Sequence, residues 1–218
     1  MTTALFPDNT LINRLVAKSK FVEKLRANTR MKEHFTRDVV SIEWLAKLAP
    51  STLNVADGHE VHEITVFRMP LKVKQCPDDL FLFIDKQMPR HTLFLLEYED
   101  EACLLINYKQ ALSGSSENAY RVIRTFRSPW QKAEALCLNL SHHSMDALYE
   151  SLVRQVAGAS ITSKADNLQE AIQQTAQQEA LCREVAALER RIAAELQPQR
   201  KFALHKQLIE LKNRLHHG

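Results

Sequence analysis

Glycine is unusually scarce in this sequence. The 218 residues contain four glycines, where an average domain of this length has roughly fifteen. A P-loop needs two glycines ahead of its lysine and a dinucleotide-binding turn needs three, so the sequence excludes both kinds of phosphate-binding loop. A turn-rich all-β sandwich is excluded for the same reason.

Paired cysteines and long apolar runs are also missing. Cys76, Cys103, Cys137 and Cys182 lie far apart, with no C-x-x-C pair. The spacing predicts free thiols in a reducing cytoplasm rather than a disulfide framework or a zinc site. No stretch approaches 18 apolar residues and no signal peptide is evident, so we expect a cytoplasmic protein that does not span a membrane. No motif points to a cofactor.

Charge is unevenly distributed along the chain, although the net charge is only +3. Residues 1–50 hold nine Lys and Arg against five Asp and Glu, whereas residues 51–110 hold six against ten. Two interpretations stay open. In the first, the charged side chains lie on faces exposed to solvent. In the second, a basic N-terminal surface lies beside an acidic central surface.

The hydrophobic pattern predicts an α+β domain over residues 1–160, with a small mixed or antiparallel sheet and N-terminal helices. Apolar spacing favours helices over 9–49 and 144–157, and alternation favours strands within 51–128. The most secure strands are 91–100 and 101–110, joined as a hairpin by the acidic turn Glu99-Asp100-Glu101. A short helix is expected ahead of Pro89, between strands at 61–72 and 91–100, and a fourth strand at 120–130.

Residues 165–217 predict a second domain, an antiparallel coiled-coil hairpin. Two helices of about 28 and 16 residues meet at Pro198, and their charges are complementary because the first is rich in acids and the second in bases. A homodimer through this hairpin also stays open. The expected interface residues follow a 4-3-4 spacing: Leu181, Val185, Leu188 and Ile192 in the first helix, and Leu204, Leu208, Leu211 and Leu215 in the second.

One set of residues resembles a metal-dependent nuclease centre. Such a centre needs carboxylates that hold Mg²⁺ beside a lysine that steadies the attacked phosphate. Asp85, Glu97, Asn107 and Lys109 are the candidates, with Glu97 on one strand of the hairpin and Asn107 and Lys109 on the other. Because Asn107 replaces the expected carboxylate, we favour a protein without catalytic activity and keep the nuclease as an alternative.

A second set combines basic and aromatic residues, which suits contact with DNA phosphates and stacking on a base. A solvated basic strand with one buried tryptophan explains the same pattern. The candidates are Arg121, Arg124, Arg127, Trp130 and Lys132, together with Arg14 and Lys18 near the N-terminus.

Five segments carry a family resemblance: LAPSTLNV (48–55), VHEITVFRMPLK (61–72), IDKQMPRHTLFLL (84–96), LINYK (105–109) and the tail over 188–215. They resemble a bacterial family described as domain of unknown function 4391. The resemblance implies a companion of restriction-modification or phage-defence helicases and DNA methyltransferases. It supplies no catalytic residues.

These observations lead to three hypotheses. The first is a non-enzymatic accessory subunit of a DNA-directed defence complex, which binds a larger helicase or methyltransferase and also touches the DNA backbone. The second is a divergent nuclease of the restriction-endonuclease type. The third is a DNA-binding subunit, whose affinity would fall steeply with salt.

Overall fold

A computed structural model describes residues 5–24, 26–111, 120–162, 165 and 167–217. The chain divides into two compact units, Met1–Gly158 and Ala159–Gly218. The first unit is built on a sheet, and the second contains a pair of long helices.

The sheet of the first unit is mostly antiparallel. Its strands pair in the order β1-β2-β3-β4-β5-β6, and β7 pairs with β5. Only β3 and β4 run parallel among these pairs, and a helix crosses between them, as parallel neighbours require. The strands are β1 (Leu11–Val16), β2 (Ile42–Leu48), β3 (Ile64–Pro70), β4 (His91–Tyr98), β5 (Glu101–Ala111), β6 (Tyr120–Arg127) and β7 (Gln131–Lys132).

Among the described residues of the first unit, five α-helices accompany the sheet, and two of them have an identifiable start. The Asn28 side chain accepts a hydrogen bond from the Met31 backbone N–H and begins α2. Ser144 begins α5 in the same way, because an oxygen at this position satisfies an otherwise unpaired N–H. The helices are α1 (Lys18–Lys24), α2 (Thr29–Arg37), α3 (Pro50–Leu53), α4 (Asp78–Gln87) and α5 (Met145–Ala157).

The two faces of the sheet are covered by different helices. Alternate residues of a strand point to opposite faces, and Phe94 and Leu96 of β4 join a buried cluster with Leu80 and Phe81 of α4 and with residues of α1 and α2. The other set of alternate residues points toward α5, which lies against β5 and β6. Each fully buried large side chain contributes about 2–3 kcal/mol to stability.

The expectation of an entirely helical segment over 9–49 is wrong. This segment contains α1 and α2, but β1 precedes them and β2 follows. In β2, the three-residue spacing of Ile42, Leu45 and Leu48 imitates a helix. The strand is instead buried on both faces, so apolar side chains occur without alternation.

The predicted fold class is confirmed. β4 and β5 form the expected hairpin, and Glu99 in its turn adopts a φ of 54°. The second unit consists of α6 (Leu168–Ala194) and α7 (Pro198–His217). Asn167 begins α6 by accepting hydrogen bonds from the backbone N–H groups of Gln169 and Glu170. Pro198 occupies the first position of α7, where a missing N–H does no harm.

Candidate functional site

A buried ion pair joins α4 to β5. The Lys109 ammonium lies 2.8 Å from the Asp85 carboxylate, and the two side chains are 2% and 0% exposed. Lys109 Nζ also donates hydrogen bonds of 2.9 Å to the backbone oxygens of Asp85 and Arg90. An ammonium group has three N–H donors, and three oxygens lie within reach of this one. The contact with the Asp85 carboxylate is a close ion pair that lacks regular hydrogen-bond geometry. Lys109 therefore ties the C-terminal end of α4 to the sheet, where a cation also complements the helix dipole.

Polar side chains surround the Asp85 carboxylate. Burial raises the pKa of Asp85, while the Lys109 charge and the neighbouring Thr92 and Asn107 oppose that rise. Within the described ranges, neither Thr92 Oγ1 nor Asn107 Nδ2 completes a hydrogen bond of regular geometry. The Asn107 carbonyl accepts one from Thr125 at 2.6 Å. This polar cluster is thus buried among the strands and incompletely satisfied, which lowers the stability of the fold.

An aromatic box holds His91 near this cluster. The His91 ring lies 4.3 Å from the Tyr149 ring and 4.9 Å from the Tyr120 ring, measured between centroids. The Tyr149 hydroxyl accepts a hydrogen bond from the Lys109 backbone N–H and donates one to the Asn107 carbonyl. Burial, aided by the Lys109 charge, lowers the pKa of His91 to about 3. His91 is therefore neutral at physiological pH.

Sequence reasoning missed His91 and Tyr149. A signal for His91 was present, because it alternates with Leu93 and Leu95 along β4 and so faces the apolar side of the strand. Tyr149 gives no comparable signal, since its pairing with the β5 backbone joins residues 40 and 42 positions apart in sequence.

The four-residue nuclease constellation is not assembled. Asp85, Asn107 and Lys109 lie together, but Glu97 is five residues beyond Thr92 on β4, about 16 Å along the strand. Glu97 accepts a hydrogen bond of 2.8 Å from Arg68, which also contacts Glu43 at 3.3 Å. The buried pair and Glu97 therefore cannot act on one phosphate in this arrangement.

Two of the arginines predicted to contact DNA are engaged within the first unit. Arg127 donates a hydrogen bond of 2.9 Å to the Cys76 carbonyl and forms an ion pair of 2.5 Å with Asp78. The Arg124 guanidinium lies 5.3 Å from the centre of the Phe126 ring. Arg127 thus holds the segment that leads into α4. This role in the fold explains why an arginine occupies the position.

Three further members of the DNA-contact set also have structural partners. Lys18 Nζ donates a hydrogen bond of 2.8 Å to the Val39 carbonyl. Trp130 is half-buried and packs against the hydrophobic core. Lys132 is exposed, but it pairs across strands with Glu101 beside the acidic β4–β5 turn. These positions favour the structural interpretation of the basic-aromatic segment.

Arg14 and Arg121 remain exposed, yet they do not share a surface. Arg14 lies on β1 and Arg121 on β6, at the two ends of the strand order. Five strand spacings of about 4.8 Å separate the two strands by about 24 Å. The predicted set therefore does not form one continuous basic patch.

The predicted hairpin seam is largely present in the second unit. Leu188, Ile192 and Leu208 form a buried apolar cluster, and Val185, Leu204 and Leu211 pack against it with partial exposure. The remaining two predicted residues, Leu181 and Leu215, are half-buried and lie outside this cluster. An ion pair of 2.8 Å between Glu189 and Lys212 also joins α6 to α7. The two helices therefore stabilise each other.

An apolar face of α7 points away from this seam. Phe202 and Ile209 are 76% and 60% exposed. They are seven residues apart, which places them two turns apart on the same face. His205 and Lys206 lie between them on that face. We call these four residues the outer face of α7. The helix as a whole is basic, with Arg200, Lys201, Lys206, Lys212 and Arg214 against the single acid Glu210.

In the part of the chain that the structure describes, no three His, Cys, Asp or Glu side chains are grouped so that they could hold a metal ion. All four cysteines are free, and burial raises the pKa of Cys76 and of Cys103 to about 12. None of the described helices is both long and apolar enough to cross a membrane.

A family model described as "Domain of unknown function (DUF4391)" matches residues 5–215. The chain belongs to this family. The match confirms the resemblance seen in the sequence segments and covers both units of the DUF4391 chain. No curated protein and no solved structure matches it.

Proposed function

We propose that this DUF4391 protein is a non-enzymatic accessory subunit of a bacterial DNA-directed defence complex, of the restriction-modification or anti-phage type. Its role is to bind a larger helicase or DNA methyltransferase. The observation that carries the proposal is the outer face of α7, where Phe202 and Ile209 are largely exposed.

The outer face has the form of a helical recognition surface. Two large apolar residues at a seven-residue interval are the anchors with which a helix enters a groove on a partner. Burying each of them would contribute about 2–3 kcal/mol. Such anchors carry most of the energy of many protein interfaces.

The interior of the sheet unit supports a binding role. Asp85 and Lys109, which come nearest to a catalytic arrangement, are paired and almost completely buried. A catalytic group has to reach its substrate within hydrogen-bond distance, and these two already reach each other and the backbone. This pair is therefore not available to a substrate, which favours a binding role.

The test is capture from the native bacterium with a tagged full-length chain, followed by identification of the bound proteins. Lysates are treated with a nuclease so that DNA does not bridge proteins. We expect a helicase or a DNA methyltransferase to co-purify with the wild type and to be lost, by at least tenfold, from a Phe202→Glu, Ile209→Glu double variant.

A matched control adds the same charges elsewhere on α7. Ala203→Glu with Gln207→Glu changes two exposed positions that point away from Phe202 and Ile209, and it should retain the partner. Binding is then measured between the purified proteins. Equal capture by the double variant, or reproducible capture of neither enzyme class, would refute the proposal.

A further inference from the structure

A groove of about 460 Å³ runs along one side of the hairpin, between α6 and α7. Its apolar floor is made by Leu188 and Leu211. Each wall carries one acid and one base, which are Glu184 and Arg191 on α6 and Glu210 and Arg214 on α7. The groove is thus apolar at its base and mixed in charge at its rim.

The two charges on α6 are arranged with a specific spacing. Glu184 and Arg191 are seven residues apart, about 10.5 Å along the helix axis, and so lie on the same face. Both are exposed. Within the described part of the chain, neither forms an ion pair or a side-chain hydrogen bond. This face of α6 therefore has an unpaired negative charge at Glu184 and an unpaired positive charge at Arg191.

Small residues occupy the same face. Ala187 lies between Glu184 and Arg191 and lines the groove. Ala180 and Ala194 repeat at the same seven-residue interval on either side of it. Side chains of this size let a second helix approach α6 closely, and the interaxial distance between packed helices depends on the side chains at their contact.

We infer that the groove binds a second copy of this chain, with the α6 helices of the two copies antiparallel. A two-fold axis near Ala187 reverses the order of the charges. It brings Glu184 level with Arg191 of the second copy, and Arg191 level with Glu184. A two-fold interface repeats each contact, so the dimer gains two ion pairs around a centre of Ala187 and Leu188.

Charge decides between a second copy and other occupants. A ligand of one sign would meet like charges on both walls of the groove, because each wall holds one acid and one base. A parallel second α6 would place Glu184 against Glu184 and Arg191 against Arg191. Of these two arrangements, the antiparallel copy pairs both groove charges of α6, Glu184 and Arg191, with their opposites.

The dimer and the enzyme partner use different surfaces. Gln207 lines the groove, and Ile209 is two residues further along α7. Positions two apart on a helix point about 200° apart. The outer face of α7 is therefore free when the groove is filled, and the inference stands independently of the proposed function.

The experiment measures the mass of the full-length chain by sedimentation equilibrium between about 1 and 200 μM. We expect a monomer–dimer equilibrium in the wild type. Glu184→Arg and Arg191→Glu should each weaken the dimer about tenfold or more, because each replaces two attractive pairs with two repulsive ones. The variant that carries both substitutions should regain the affinity of the wild type, because the exchanged charges again face their opposites.

Arg190→Glu is the control. It makes the same change in charge one position from Arg191, and its side chain points about 100° away from the groove. It should leave the dimer unchanged, and circular dichroism should show equal helix content in all variants. A wild type that stays monomeric at 200 μM overturns the inference. So does a double variant as weak as the single ones, or a control as weak as Arg191→Glu.

Discussion

Protonation of His91 should couple the stability of the sheet unit to pH in a predictable way. The pKa of His91 is about 3 in the folded chain, against 6.5 for an unperturbed histidine. Replacing His91 with Phe removes the titrating group and keeps an aromatic ring beside Tyr120 and Tyr149. The substitution therefore isolates the effect of the proton from that of packing.

The direction follows from which state holds the proton. Between pH 6.5 and pH 3 the unfolded chain binds a proton at His91 and the folded chain does not. Stability rises with pH wherever the unfolded state binds more protons. The wild type should thus lose stability on acidification, by about 1.4 kcal/mol per pH unit inside this window. Integrated from pH 7 to pH 4.5, the loss attributable to His91 is about 2.5 kcal/mol.

The assay is urea unfolding of the wild type and of His91→Phe at several pH values from 7 to 4.5. The difference in unfolding free energy between the two proteins should shift by about 2.5 kcal/mol in favour of the variant as the pH falls. Asp85, whose raised pKa acts in the opposite direction, is common to both proteins and cancels. Parallel stability curves for the wild type and His91→Phe would refute the reasoning.

Three further substitutions test the packing. Lys109→Met leaves the buried Asp85 carboxylate without its cation and should lower the unfolding free energy by about 3–5 kcal/mol; adding Asp85→Leu should recover most of the loss in thermal melts. Gly58→Ala places a methyl group against the Asp146 carboxylate, which accepts hydrogen bonds from three backbone N–H groups, and should cost about 1–3 kcal/mol in urea unfolding. Leu208→Ala opens the hairpin seam at a cost of about 2–4 kcal/mol, and should lower the melting temperature of the helical signal at 222 nm.

The elements that sequence analysis predicted well are those fixed by local pattern. The helices α6 and α7 contain 27 and 20 residues, close to the expected lengths, because their apolar spacing persists over many turns and Pro198 marks the break. The β4–β5 hairpin was equally clear, since two apolar strands flank a short acidic turn. In each case the deciding information lies within a few residues of the element.

The N-terminal segment shows where local pattern fails. Leu11 and Leu15 are four residues apart, as on a helix, yet they lie on β1 at the edge of the sheet. This strand contains a bulge between Leu11 and Arg14, and Asn13 has a φ of 48°. Its pairing with β2 is a tertiary contact across α1 and α2. Such a contact leaves no periodic signal in either strand.

The candidate site was predictable only in part. Of the four residues grouped from the sequence, Asp85 and Lys109 form an ion pair, although they come from different elements. Their burial could not be read from the sequence, because it depends on how α4 lies on the sheet. Burial is also what converts an apparent catalytic pair into a structural one.

The scarcity of glycine and the internal use of lysine are connected. Many helices end at a glycine with positive φ, and α5 ends at Gly158, whose φ is 48°. The ends of α2 and α4 lack a glycine. At these two helix ends, lysine ammonium groups donate hydrogen bonds to the last backbone carbonyls. Lys18 and Lys72 do so at α2, and Lys109 does so at α4.

This use of lysine explains why Lys18, which resembled a DNA contact, is structural. A carbonyl at a helix end and a DNA phosphate offer a lysine the same chemistry, an oxygen acceptor with negative charge. In a chain with few glycines, the carbonyls at helix ends of the sheet unit therefore bind lysine side chains of the same unit. In the part of the hairpin that the structure describes, the bases of α7 show no hydrogen bond to a helix-end carbonyl, and Lys212 pairs with the Glu189 carboxylate. The cations of the hairpin are thus better placed for a partner than those of the sheet unit.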